Sequence, residues 1–316
     1  MNHNGSFLAK LILGSALAAF GIQGLSAQEI STANGVSTRM VVTVESHRGS
    51  EPPVINREDV VVHEGKDRDQ VTGWVAAQGE RAALELFILL DDSSGTSLGT
   101  QFQDIRKFID GQPASAKIGI AYMQNGIARI EQDLTSDHAL AAKALRLPLG
   151  IAGANASPYF ALSDLMKRWP ASESRREVLV ISDGIDRYYD GADLQDPYVA
   201  AAIEDCQRAG VIVSAIYSPG VGHYGHSMWR TYWGQIYLSK LTDETGGESY
   251  YMLFNGPAVA FAPFLDDLSN HLNRQYLLTF LAKPAKKAGM RWVKVTTEVP
   301  NAEIVSANQV YVSAAP

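Results

Sequence analysis

A dense group of oxygen-bearing side chains, Asp91-Asp92-Ser93-Ser94-Gly95-Thr96-Ser97, directly follows the apolar run Phe87-Ile88-Leu89-Leu90 in this 316-residue sequence. Carboxylates and hydroxyls at alternate positions are poor ligands for soft metals but good ones for Mg²⁺ or Ca²⁺. In a turn leaving a strand, Asp92, Ser94 and Thr96 can converge on one point. Mg²⁺ takes an octahedral oxygen shell and keeps several waters, so a few protein groups suffice. Two more stretches offer matching groups: Ser157 in "GANASPYF", just before a helix, and Asp183 in "VISDGID", at a strand end. Together they supply two carboxylates and three hydroxyls. The competing reading of Asp92, Ser94 and Thr96 is a capped turn rich in hydroxyls, with no metal.

The elements that must position these groups follow from periodicity. Strand-length apolar runs occur at 84–90, 116–123, 127–134, 177–183, 211–217 and 248–254. Helix-spaced stretches lie between them: "FQDIRKFID", "HALAAKALRL" behind the cap Ser136-Asp137, "PYFALSDLMKRW", "PYVAAAIEDCQRAG", "IYLSKLTDETGG" and "PFLDDLSNHLNRQ". "QNG" joins the second and third strands as a hairpin. The remaining alternation predicts an α/β fold: a doubly wound, mostly parallel six-stranded sheet with helices on both faces. Ligands of such sheets bind beyond the carboxyl ends of the strands, where "DDSSGTS" and "SDG" both fall. Residues 36–80 and those after Gln275 read instead as short strands with turns. They are expected to join into one small β module, since neither segment alone has enough strands for stability. The organisation expected is a leader over 1–27, an N-terminal β segment over 28–80, the α/β domain over 81–274 and C-terminal strands over 275–316.

Composition narrows the class. Hydrophobic residues make up 46%, enough for a real core, and the net charge of −7 argues against a nucleic-acid partner. "LILGSALAAFGIQGLSA" after Lys10 ends in small residues and reads as a secretory signal cleaved near Ala27, or else as an uncleaved anchor. No second long apolar run follows, so the chain after signal removal is expected to have no membrane span and to be extracytoplasmic, periplasmic or secreted. The single cysteine, Cys206, allows no internal disulfide and reads as a small core residue.

The chain resembles the von Willebrand factor A domain, also called the integrin I-like domain, and within it a bacterial secreted branch. That family's metal-ion-dependent adhesion site is written D-x-S-x-S, a later Thr and a later Asp. "DSSGT" is similar to the first element as Asp92, Ser94 and Thr96. Ser157 stands where the family has a Thr opening a helix, and Asp183 in "ISDG" matches the family's "TDG". "LSKLTDETGGESYYM" is similar to the stretch before the family's last strand. Thr in the third position and Ser in the second loop are departures that keep the oxygen. The doubled aspartate leaves the frame open. Starting at Asp91 puts Gly95 in a hydroxyl position, so Asp92 is preferred. The resemblance covers about two-thirds of the chain. It implies a binding module holding Mg²⁺ (or Ca²⁺ or Mn²⁺) in an incomplete protein shell. The open position would accept a carboxylate presented by a protein partner, with no bond made or broken.

Two alternatives remain. One is a scaffold with a degenerate metal site. The other is an enzyme, a Mg²⁺-dependent hydrolase, which no obvious base or phosphate-cradling loop supports. Residues 220–233 read as a long loop carrying His223, His226, Trp229 and Trp233. It is either an aromatic partner-contact surface or a loop that buries its own rings. A histidine metal site there lacks an adjacent third ligand. The acids of 186–197 read as a solvated loop, or else as a rim of the metal edge.

Overall fold

The structure, a computed structural model, describes residues 35–46, 51–81, 83–189, 191, 193, 195–251 and 260–315. The expected leader over 1–27 lies outside them, as do the last residues of the sixth strand expected over 248–254. The strands are β1 (Val36–Ser46), β2 (Val60–Glu64), β3 (Asp67–Ala76), β4 (Leu84–Asp91), β5 (Ala116–Gln124), β6 (Ile127–Thr135), β7 (Arg175–Ser182), β8 (Val211–Tyr217), β9 (Ser249–Tyr250), β10 (Gln275–Ala282), β11 (Gly289–Trp292), β12 (Lys294–Thr297), β13 (Ala302–Ser306) and β14 (Gln309–Val312). The helices are α1 (Phe102–Asp110), α2 (His138–Lys143), α3 (Pro158–Arg168), α4 (Pro197–Ala209), α5 (Gly222–Gly225), α6 (Met228–Thr245) and α7 (Ala262–Asn273).

The sheet that carries the oxygen-rich loops has the order β6-β5-β4-β7-β8-β9. β4 pairs in parallel with β5 and β7, β7 with β8, and β8 with β9. β5 and β6 form an antiparallel hairpin through Asn125 (φ 51°) and Gly126 (φ 78°), so this sheet is mixed at one edge. The central strands are apolar on both faces because both are covered. Leu86, Ile88 and Leu90 pack under α1, α2 and α7; Phe87 and Leu89 pack under α3, α4 and α6. A second six-stranded sheet, β12-β2-β3-β10-β1-β13, is antiparallel and draws strands from both chain ends around Val42, Val62, Leu278 and Phe280.

One stretch differs from its sequence reading. Residues 220–233 are not a long loop. They hold the short α5 and the first turns of the 18-residue α6. Periodicity found only the part of this helix within 236–247 and missed its first turns, whose buried face carries Thr231 and Gly234. Ser227 caps it by accepting from the Arg230 N–H, and Gly246 closes it in the left-handed region (φ 84°).

The two sheets meet at a buried polar seam. Arg175, opening β7, donates to the Leu272 carbonyl (2.8 Å) and to Gln275 Oε1. Gln275, opening β10, donates to Glu177 Oε1 at 2.6 Å. Burial pushes the Glu177 carboxyl up to about 7, against the pull of Gln275 and Arg175. The folded state therefore holds a proton between pH 4.5 and about 7 that the unfolded chain has released. Stability from this group is present at the acid end of that window and falls as pH rises through it. We expect urea midpoints to show a flatter decline over that window for Glu177→Gln than for the wild-type chain. Parallel slopes would disprove the assignment.

Candidate functional site

The carboxyl ends of β4 and β7 adjoin at the point where the chain switches direction across the sheet, the usual ligand position of a doubly wound fold. Side chains alternate along β4, and this separates the paired aspartates. Asp91, the last strand residue, follows the side of Phe87 and Leu89. Its Oδ2 accepts from Ser182 Oγ of β7 at 2.7 Å and its Oδ1 from the Ser93 N–H at 2.8 Å. Asp92 follows the side of Ile88 and Leu90, and is fully buried.

There Asp92 meets Arg146 in a fork: Nη1 to Oδ1 at 2.7 Å and Nη2 to Oδ2 at 3.0 Å. Oδ1 also accepts from the Leu149 N–H. The guanidinium lies 3.8 Å from the Tyr122 ring centroid. The Tyr122 hydroxyl donates to the Arg146 carbonyl and accepts from its N–H. Glu131 on β6 is a second carboxylate partner. Hydrogen bonding to Asp92 holds the Arg146 guanidinium above its ordinary value. The fork thus staples residues 146–150 to the end of β4.

Asp183 is engaged in the same way by its own loop. Arg187 Nη2 reaches Oδ2 at 2.5 Å and Nη1 reaches Oδ1 at 3.3 Å, with the Ile185 N–H on Oδ1. The pair is almost wholly buried, Arg187 at 5% and Asp183 at 1% side-chain exposure. Burial opposes the Arg187 charge, yet Asp183 and Asp91 outweigh it and leave the guanidinium above its ordinary value. Full burial pushes the Asp183 carboxyl up to about 6, still low enough for an ionised pair at neutral pH. Gly220 lets this pair form. A Cβ there would stand 2.1 Å from Asp183 Oδ2 and 2.6 Å from Arg187 Nη2. Likewise Gly234 of α6 lets the helix sit on the "SDG" turn, where a Cβ would come within 2.3 Å of the Asp183 carbonyl oxygen.

Ser157 caps α3, its Oγ accepting from the Phe160 N–H and donating to Asp186 Oδ2 at 3.0 Å. Asp186 also accepts from the Tyr188 and Tyr189 N–H groups, and the Arg187 N–H donates to the Ala156 carbonyl. Asp186 is therefore a buried organiser of its turn, not a solvated acid. The loops after β4 and β8 are joined too: the Val221 N–H donates to the Ser93 carbonyl, and Ser94 bridges Gly220. Ser94 Oγ and Ser93 Oγ are buried without a hydrogen-bond partner, while Thr96 is exposed in a 3₁₀ turn.

Of the five expected ligands, then, Ser94, Ser157 and Asp183 gather near the switch point. Asp92 faces the opposite side of β4 with both oxygens taken, and Thr96 turns to solvent. Asp91 occupies the place assigned to Asp92, because the strand runs one residue further than the apolar run suggests. The cavity beside Asp91, Ser157 and Arg187 measures about 10 Å³, room for about one water. A guanidinium already neutralises Asp183, and Asp91 is hydrogen-bonded on both oxygens. As arranged, these residues do not fit a hydrated divalent cation with an open coordination position. Sequence reasoning missed Arg146 and Arg187, and of the two frames it left open it preferred Asp92 to Asp91. The i,i+4 spacing of Asp183 and Arg187 was the one local signal available.

His223 and His226 are exposed, and neither joins a group of three potential ligand side chains among the described residues. Trp229 is exposed on α6 and edge-on to Trp233, which is half-buried against Tyr237.

No family model matches the sequence, and comparison with curated proteins finds no match. Solved structures similar to the chain include an aerotolerance-related membrane protein from Bacteroides fragilis (17% identity, 60% of this chain, 98% of that one, TM-score 0.44). Another is the hypothetical protein BatB from Bacteroides thetaiotaomicron (16%, 60% and 97%, TM-score 0.44). A third is a von Willebrand factor type A structure from Catenulispora acidiphila (11%, 90% and 75%, TM-score 0.41). With identities of 11–17% and TM-scores of 0.41–0.44, these are similarities of fold alone.

Arg146→Ala leaves Asp92 buried and unpaired and should destabilise the fold by about 3–5 kcal/mol in urea unfolding; a loss below about 1 kcal/mol would show that the pair does not anchor the loop. Ser94→Ala removes a buried, unpartnered hydroxyl, so its unfolding midpoint should be equal to or above wild type, with and without Mg²⁺. A Mg²⁺-dependent drop would make Ser94 a ligand.

Proposed function

We propose that this chain is an extracytoplasmic, non-catalytic interaction module of von Willebrand factor A-like fold, and that it holds a protein partner through an apolar rim around internally neutralised carboxylates. The observation that carries this reading is where apolar side chains meet solvent. Among the described residues, nine of the fourteen exposed large hydrophobics are Leu147, Leu149, Ile151, Tyr188, Val221, Tyr224, Met228, Trp229 and Tyr232. All leave the carboxyl edge of the mixed sheet or the start of α6. Ile151 is 67%, Trp229 61% and Met228 76% exposed, and a monomer gains nothing from such side chains.

Trp and Tyr side chains at a helix start are good anchors, since they bury large area at low entropic cost. Arg230 lies 4.5 Å from the Tyr224 ring centroid and adds a polar element to the rim. Asp91, Asp92, Asp183 and Asp186 are each held by arginine, hydroxyl or backbone groups, which supports binding rather than water activation. The extracytoplasmic placement rests on the apolar leader-like stretch. Among the described residues no helix is long and apolar enough to cross a membrane. Capture of a partner's carboxylate by a divalent cation would require Arg187 to leave Asp183.

Pulldown from envelope extract, with Mg²⁺ and with EDTA, tests the reading. A partner should be captured equally in both. Trp229→Ala should weaken the measured affinity for it by about 30-fold, the effect of losing an anchor of about 2 kcal/mol. Trp292→Ala, exposed on the β module, should leave it unchanged. Capture that needs Mg²⁺ and survives Trp229→Ala would overturn the proposal in favour of a metal-dependent site.

A further inference from the structure

A second group of ionisable side chains lies away from the carboxyl edge, where the two sheets meet. Glu45 near the end of β1, Glu248 just before β9 and His271 in the last turn of α7 bring one ligand atom each within 4.8 Å of the others. Backbone bonds fix all three. The Val44 N–H donates to the Arg274 carbonyl at 3.1 Å, holding β1 against the end of α7. Glu248 is pinned to β8, its carbonyl accepting from the Ala215 N–H and its N–H donating to Ser214 Oγ.

We propose that Glu45, Glu248 and His271 form a divalent transition-metal site, of Zn²⁺ type, that clamps the β module to the α/β unit. The donor set is one imidazole and two carboxylates, suited to Zn²⁺ and its neighbours rather than to Mg²⁺ or Ca²⁺. His271 Nδ1 stands 3.4 Å from Glu45 Oε1. Two ligands at about 2.1 Å in a tetrahedral shell lie about 3.4 Å apart. That Oε1 is buried and has no hydrogen-bond partner. The other ring nitrogen, Nε2, stands 3.4 Å from Asp267 Oδ2, which accepts from the Tyr250 hydroxyl at 3.0 Å. A carboxylate behind a histidine, itself held by a further group, is the arrangement that orients a metal-bound imidazole.

The electrostatics agree. Burial, together with Glu303 and Asp267, pushes the Glu45 carboxyl up, against His271 and Arg274. Burial, then Glu45, Asp267 and Asp243, pushes Glu248 up to about 7. Five acids, Glu45, Glu248, Asp267, Asp243 and Glu303, bear on this place where His271 and Arg274 oppose them, and a divalent cation supplies the missing positive charge. A protonated His271 paired to its acids without metal is the competing state.

The test uses chelator-treated, untagged protein. Zn²⁺ titration by calorimetry should give one equivalent bound at micromolar concentration, and Co²⁺ should give a visible absorption band of nitrogen–oxygen coordination. Zn²⁺ at 100 times its Kd should raise the folded-to-unfolded ratio about 100-fold. His271→Ala and the near-isosteric Glu248→Gln should lose the binding, the band and the stabilisation. A His223→Ala, His226→Ala double variant should keep all three. Far-UV circular dichroism checks that each variant is folded; Glu248→Gln, which keeps size and shape, stands for the site if His271→Ala does not fold. Absence of Zn²⁺ binding, binding unchanged in the folded variants, or loss in the His223/His226 double variant instead would each overturn the proposal.

Discussion

Carboxylates buried at the ends of central strands need a positive partner, because an isolated ion in the interior costs several kcal/mol. Asp91, Asp92 and Asp183 are all buried at the β4–β7 switch point, and the chain meets that demand from within. Arg146 comes in over Tyr122 to take Asp92 on one face of the sheet. Arg187 folds back four residues to take Asp183 on the other. The rest of the edge is built around these two forks. Residues 146–150 are anchored by the first, and the second is accommodated only because position 220 is glycine.

A site neutralised by guanidinium groups differs in kind from one neutralised by a metal ion. An arginine has no vacant coordination position, and a buried one has its donors aimed at fixed acceptors. On the function proposed above, the attraction offered to a partner lies not at the centre of the edge but at its rim, where apolar and aromatic side chains of the surrounding loops and of α6 face water. Binding of that kind depends on shape and buried area, and little on ionic conditions.

The two sheets are joined by polar groups more than by a shared apolar core. Arg175, Gln275 and Glu177 make one seam, and Glu45, Glu248 and His271 lie at another part of the same boundary. Each apolar cluster stays within its own sheet and covering helices, and the boundary between them is where ionisable groups collect. Such groups respond to pH and to ions, so the junction is the part of the molecule whose strength can vary with conditions.

The alternation of apolar runs and amphipathic stretches determined the covered α/β sheet, its hairpin edge and the helices opened by Pro158 and Pro197, because burial on two faces leaves a direct mark on composition. It also placed "DDSSGTS", Ser157 and Asp183 at one edge. The N-terminal part of α6 left no such mark, since its inward face is threonine and glycine shaped by what it packs against. Which of two adjacent aspartates turns to which face depends on where β4 ends, a matter of one residue that only pairing with β5 and β7 decides. That Arg146 lies against Asp92, 54 positions earlier, follows from the return of the chain past β6, and no local pattern encodes it. The charge that neutralises a buried acid is chosen by tertiary contact, so the oxygen atoms of the edge were legible in the sequence and their partners were not.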